Sequence, residues 1–121
     1  MALAAGILLI LIGIAHNIYG EKQQIPALKK YTNDSIIVGS QRIMTYQGGF
    51  LVLAVGIVQV LLSFQVIELT GVARYFPIGI VLLNFFTILF IALVAHREIF
   101  KITAPQFVIF IVIITLQSLS L

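Results

Sequence analysis

A chain of 121 residues that is 61% hydrophobic and only 9% charged has room for one domain and too little charge to keep its surface in water. Its mean hydropathy of +1.18 points the same way. The absence of cysteine excludes disulfides, thiolate metal sites and thiol redox chemistry together. The net charge of +3 does not imply nucleic acid as a partner, because the basic residues lie in short segments beside apolar stretches, where they meet lipid headgroups and set orientation.

In chain order, the first apolar stretch runs from Ala2 to Tyr19 and contains no Lys or Arg. It lacks the positive leader and small-residue exit of a cleavable signal and reads as a retained spanning helix. Gly20 to Arg42 is polar, interrupted by Pro26, with Asn33-Asp34-Ser35 offering an N-cap. A helix is therefore expected to begin at the surface near Ser35 and to enter the bilayer near Ile43. The second span is expected over about 43–66, and a tight connection follows over 67–74. The third covers about 75–95, with Pro77 in its first turn, where the missing N–H matters least. The fourth covers about 105–121 and opens on Pro105. Each stretch approaches the roughly 20 residues needed to cross a bilayer, and each is apolar around its whole circumference. The expected fold is all-α: an integral membrane four-helix bundle.

Six of the seven basic residues lie in the first and third connections (Lys22, Lys29, Lys30, Arg42, Arg97, Lys101), against Arg74 alone in the second. The positive-inside rule puts those two connections in the cytoplasm and both termini outside. The expected address is the cell membrane, multi-pass, in a bacterial inner membrane.

Small residues recur every seven positions, at Gly6, Gly13 and Gly20 in the first helix and at Gly49, Gly56 and Ser63 in the second. Such spacing keeps a seam on one side of a left-handed pair, and small residues are a main source of helix association in lipid. A tight antiparallel hairpin of the first two helices is expected. The third and fourth helices carry Phe, Ile and Leu instead, and are expected to face lipid or another subunit.

Polar groups within spans are costly and mark candidate functional residues. Topology brings His16, Asn17, Glu21, Tyr46, Gln47, His96 and Glu98 to the cytoplasmic ends of three helices. His16, Glu21, Tyr46, Gln47 and His96 are the candidate ligand-binding group. Two histidines and two carboxylates at one level suit a metal or a proton relay. No two of them stand at ligand spacing on one helix, however, and no metal site is assigned. The plainer expectation is that His16 hydrogen-bonds across the hairpin and that His96 is a solvated interface residue. Rotation at about 100° per residue turns Gln47 away from the glycine seam and leaves Tyr46 nearer to it. Glu21 pairs with Arg42 or faces water. A deeper set, Gln59, Asn84 and Gln117, places one amide on each of three helices, as inter-helix glue or as a polar spot for a small amphiphile. No carboxylate lies mid-span, and no phosphate loop, nucleophile–His–Asp set or pore ring is present, so no catalytic residue is assigned, and the cofactor is left unknown.

The segment His16-Asn17-Ile18-Tyr19-Gly20-Glu21 resembles small bacterial four-helix membrane proteins of unassigned activity, in which His-x-x-x-Gly-Glu closes the first helix. In that group a Trp-His pair opens the second helix. Here Tyr46-Gln47 stands in its place, which removes the second histidine of any shared metal or haem site. The resemblance covers about the first half of the chain and implies architecture rather than activity. The leading functional expectation is a non-enzymatic partner or assembly module in the lipid bilayer, as a homo-oligomer or with another membrane protein. The alternative is a small transporter or ligand-binding protein using the cytoplasmic-side group, with a quinone-linked or redox subunit as a third reading.

Overall fold

The computed structural model describes all of residues 1–121 and is helical throughout, with short connections. Four helical rods are long and apolar enough to cross a membrane.

The first rod is longer than its apolar stretch. Helix α1 (Ala2–Tyr19) runs through a π-helical turn at Gly20–Gln24 into α2 (Ile25–Lys29), giving 28 continuous residues. Pro26, expected to interrupt the chain, is accommodated instead. A proline ring clashes with the carbonyl four residues back, and the wider π turn immediately before it relieves that clash. Its signature is the Ile25 N–H bonding the Gly20 carbonyl, five residues back.

Helix α3 (Ser35–Ser63) starts where the polar cap residues stand. Asp34 is the N-cap; its Oδ1 accepts the Ile36 N–H at 2.8 Å, while Thr32 Oγ1 accepts the Asp34 N–H at 3.1 Å. The far end stops three residues short of the expected boundary at Val66. There Gln65 takes a left-handed φ of 57°. The Val66 N–H bonds the Leu61 carbonyl and the Gln65 N–H bonds the Leu62 carbonyl, a Schellman closure with a non-glycine residue in the left-handed position. Replacing Gln65 with Gly should therefore raise unfolding stability by about 0.5–1 kcal/mol, measurable by thermal unfolding in mild detergent.

A 3-10 turn at Gly71–Tyr75 leads into α4 (Phe76–Val94), with Pro77 in its first turn. The last helix, α5 (Ile99–Leu119), starts six residues before Pro105, which lies inside it rather than at its head. The hydrogen bond that Pro105 cannot make is the one to the Lys101 carbonyl, in a turn exposed to solvent. Two contacts hold the early turns together: the Thr103 hydroxyl donates to the Ile99 carbonyl at 2.9 Å, and the Phe100 ring stacks on Phe107 with centroids 5.3 Å apart.

The rods form a closed square. Helix α1 lies against α3 and α5, and α4 lies against the same two. Leu9, Val52, Val55, Val81, Phe110 and Ile113 form the central core, so every rod contributes to it. The α1–α3 edge is the closest. A Cβ built on Gly13 would lie 2.7 Å from the Gly49 carbonyl oxygen, and one on Gly56 would lie 2.8 Å from the Gly6 carbonyl oxygen. Gly20 faces the Thr45 side chain, completing the third step of the antiparallel seam. Ser63 turns its hydroxyl onto the Val60 carbonyl of its own helix, at 2.7 Å.

Candidate functional site

At the end of the bundle holding the α2–α3 and α4–α5 connections, the polar side chains distribute themselves among separate partners. Glu21 emerges from the π turn, where the widened helix carries it toward the start of α3. Arg42 meets it with two contacts, Nη2 to Oε1 at 2.8 Å and Nε to Oε2 at 2.9 Å. This forked geometry is the strong form of the arginine–carboxylate pair. Both side chains remain about two-fifths exposed. Glu21→Gln should therefore lower the melting temperature only slightly, and a double-mutant cycle with Arg42→Gln should assign that small loss to the pair.

His16 is half-buried beside Gly48, with Nε2 the nearest atom to the space above that glycine. Its neighbour Asn17 is buried on the seam, packed against Gly49, and its Oδ1 has no hydrogen-bond partner. Tyr46 is half-buried and stacks on Phe50 one turn along α3, with centroids 5.8 Å apart. Gln47 is exposed. Thr45 meets the first rod just beyond this level, at Gly20 of the π turn.

His96 and Glu98 are exposed and face each other, Nδ1 to Oε1 at 3.3 Å. The Glu98 carboxyl lies below the usual carboxylate range, held there first by its own backbone N–H and then by His96. A depressed carboxylate stabilises the fold above its unfolded pKa and loses that contribution as pH falls through the folded value. The Glu98 contribution is thus lost on the acid side, as pH falls below the usual carboxylate range, and Glu98→Gln should flatten that acid limb of the stability–pH profile. No three His, Cys, Asp or Glu side chains come together in a way that could hold a metal ion. The geometry at this end ties helices and connections to one another; it does not converge on a common point.

The deep amides behave differently from one another. Gln117 Nε2 donates to Gln59 Oε1 at 3.3 Å, joining α5 to α3 across the diagonal of the square. Asn84 Nδ2 instead donates to the Ile80 carbonyl of its own helix at 2.9 Å. The Gln59–Gln117 pair lines a cavity of 450 Å³ at the opposite end of the bundle, where Ala2 and Leu121 also lie. Glu68, Thr70 and Arg74 from the α3–α4 connection, with Ser120, complete its polar lining. Arg74 Nη2 donates to the Leu121 carbonyl oxygen at 3.0 Å, and its guanidinium sits 5.2 Å from the Tyr75 ring centroid. None of these three connection residues stands out in the sequence as a site residue. The one local signal is Gly71, whose φ of +58° folds the connection back over the helix ends.

Fold and side-chain placement together define a four-helix protein whose rods are each suited to cross a membrane, with paired polar side chains at one end and a cavity between all four rods at the other. Compared with known proteins, the chain matches no family, no curated protein and no solved structure.

Proposed function

We propose that this chain is a non-enzymatic, multi-pass membrane protein that acts as an assembly module, and that the partner seated on α4 is a second copy of itself. In this reading the six basic residues of the α2–α3 and α4–α5 connections face the cytoplasm and both chain ends face outward. The membrane is the bacterial inner membrane, on the resemblance of the His16-to-Glu21 segment.

One observation carries the proposal. Along α4, Phe76, Gly79, Leu83, Phe86, Phe90 and Leu93 follow alternating steps of three and four residues, and all are exposed. The five apolar side chains of the row are each half or more exposed, with the Phe86 ring edge-on to Phe85 at 5.5 Å, and a Cβ on Gly79 would meet no atom within 4 Å. Two copies in one membrane are related by an axis along its normal, so each residue of the row faces its own counterpart. The three–four alternation is the spacing that keeps such a seam in register, with Gly79 allowing the backbones to approach near one end and the rings interlocking below. Lipid alone would cover any apolar surface and requires no such spacing.

Native mass spectrometry of the protein released from gently solubilised membranes tests this. The expected result is a species of twice the chain mass, shifted to the single chain by Phe86→Ala combined with Gly79→Leu. A monodisperse single chain with no co-purifying protein overturns the proposal.

A further inference from the structure

The open end of the bundle is built differently from a gap in packing. All four rods and the α3–α4 connection contribute to its 450 Å³ cavity, a volume in the range of small-ligand sites. Its deepest residues are polar: Gln59 is 6% exposed and Gln117 only 2%. Gln117 uses Nε2 on Gln59, which leaves its own Oε1 buried without any donor. A buried acceptor without a donor is unfavourable, and such groups in native proteins call for a missing partner. Leu62 and Ile78 add apolar surface to the lining, and Glu68 and Arg74 add two opposite charges. Glu68 belongs to neither of the two ion pairs in the molecule, Glu21–Arg42 and His96–Glu98.

These features restrict the occupant. An unpaired acceptor at the floor asks for an N–H or O–H donor. The Glu68 carboxylate favours a cation and disfavours a simple anion, while Arg74 disfavours a simple cation and favours an anionic oxygen. We propose that the cavity binds a small zwitterion: a primary ammonium joined through a short link to an anionic oxygen group. The three N–H donors of the ammonium suit Gln117 Oε1 and Glu68, and the anionic group suits Arg74. This chemistry has two sources at a membrane surface, the ethanolamine phosphate headgroup of a lipid and a free molecule of the same kind. The site does not depend on the α4 dimer, because every lining residue belongs to one chain.

The test exploits donor count at constant charge. The full chain is placed in nanodiscs holding equal phosphatidylethanolamine and phosphatidylcholine, and retained lipid is read by native mass spectrometry. Phosphatidylcholine keeps the positive charge and the phosphate but has no N–H, so the expected retention favours ethanolamine lipid by about tenfold, as loss of a charge-assisted hydrogen bond implies. Mono- and dimethylated headgroups should fall between. Gln117→Met, which keeps the side-chain shape and removes the acceptor, should abolish the preference. Should that variant fail to fold, Glu68→Gln on the exposed connection reads the same preference. In nanodiscs of phosphatidylcholine alone, free phosphoethanolamine but not phosphocholine should raise the melting temperature if the ligand is a soluble molecule. A lipid preference without that shift assigns the site to the headgroup. Equal retention of both lipids together with no shift from phosphoethanolamine overturns the proposal and leaves the cavity to water. A preference that survives both Gln117→Met and Glu68→Gln overturns it for this cavity.

Discussion

Gly56→Leu is expected to prevent the chain from accumulating as a folded protein, and Gly56→Ala to lower its unfolding free energy by about 1–3 kcal/mol. The reason is the identity of the atoms a new side chain would meet. A Cβ at position 56 would lie 2.8 Å from the Gly6 carbonyl oxygen and 2.8 Å from the Ile10 backbone nitrogen. At position 13 it would meet the Gly49 carbonyl oxygen at 2.7 Å and the Leu53 nitrogen at 2.9 Å. Backbone atoms in the middle of a facing helix cannot turn aside as a side chain can, so the two rods must separate. Within lipid that separation removes the dispersion contacts that hold them together, since burial from water no longer drives association there. Gly39→Ala supplies the contrast. Its Cβ would enter open space, and the gain in helix propensity should stabilise the protein by about 0.5–1 kcal/mol. Unfolding in mild detergent on titration with SDS, followed by helical circular dichroism, separates the two signs. Equal, small effects from Gly56→Ala and Gly39→Ala would mean that the α1–α3 edge is not the rigid unit of the fold.

That edge is also where the sequence was most informative. Glycines at seven-residue intervals disclose a packing face, because a helix that repeats its small residues every two turns keeps them on one side. Periodicity identifies a face but not a register. The partner of Gly20 is Thr45, and Ser63, which shares the spacing of Gly49 and Gly56, bonds its own helix. Register depends on how the connection folds, and here Gly20–Lys29 extends the first helix where Pro26 suggests a break. Pro105 shows the same limit. A proline at the edge of an apolar stretch reads as a helix start, whereas an exposed turn can carry it internally at the loss of one hydrogen bond.

The polar residues divide along similar lines. Topology alone places His16, Glu21, Tyr46, Gln47 and His96 at one level, but level is not contact. The direction of each side chain separates a Glu21–Arg42 pair, a Tyr46–Phe50 stack, an exposed Gln47 and a His96–Glu98 pair from one another. The cost of an amide within a span marked Gln59, Asn84 and Gln117 alike, yet only two of them meet, because Asn84 finds an acceptor one turn back on its own helix. Glu68, Thr70 and Arg74 carried no such mark. Charged and hydroxyl groups are inexpensive in a connection that meets water, and only the folding of that connection over the helix ends brings them to the cavity.

Phe110→Ala and Phe90→Ala should separate the forces that fold the chain from those proposed to join two copies. Phe110 is 2% exposed and belongs to the core cluster supplied by all four rods; Phe90 is 66% exposed on the α4 row. In a membrane the unfolded reference is a set of helices already in lipid, so removing a buried ring forfeits little transfer energy. What remains is the unfilled volume, which at about 24 cal/mol per Å³ amounts to on the order of 2 kcal/mol for the difference between Phe and Ala. Phe110→Ala is thus expected to lower the SDS concentration at the unfolding midpoint while leaving the dimer mass intact at low denaturant. Phe90→Ala should do the reverse: lipid replaces the ring on the single chain at little cost, but the proposed α4–α4 seam loses a central contact, and the single-chain fraction in native mass spectra should rise several-fold. If Phe90→Ala destabilises the single chain as much as Phe110→Ala does, then the α4 row packs on its own chain in solution and the surface offered to a second copy is not there.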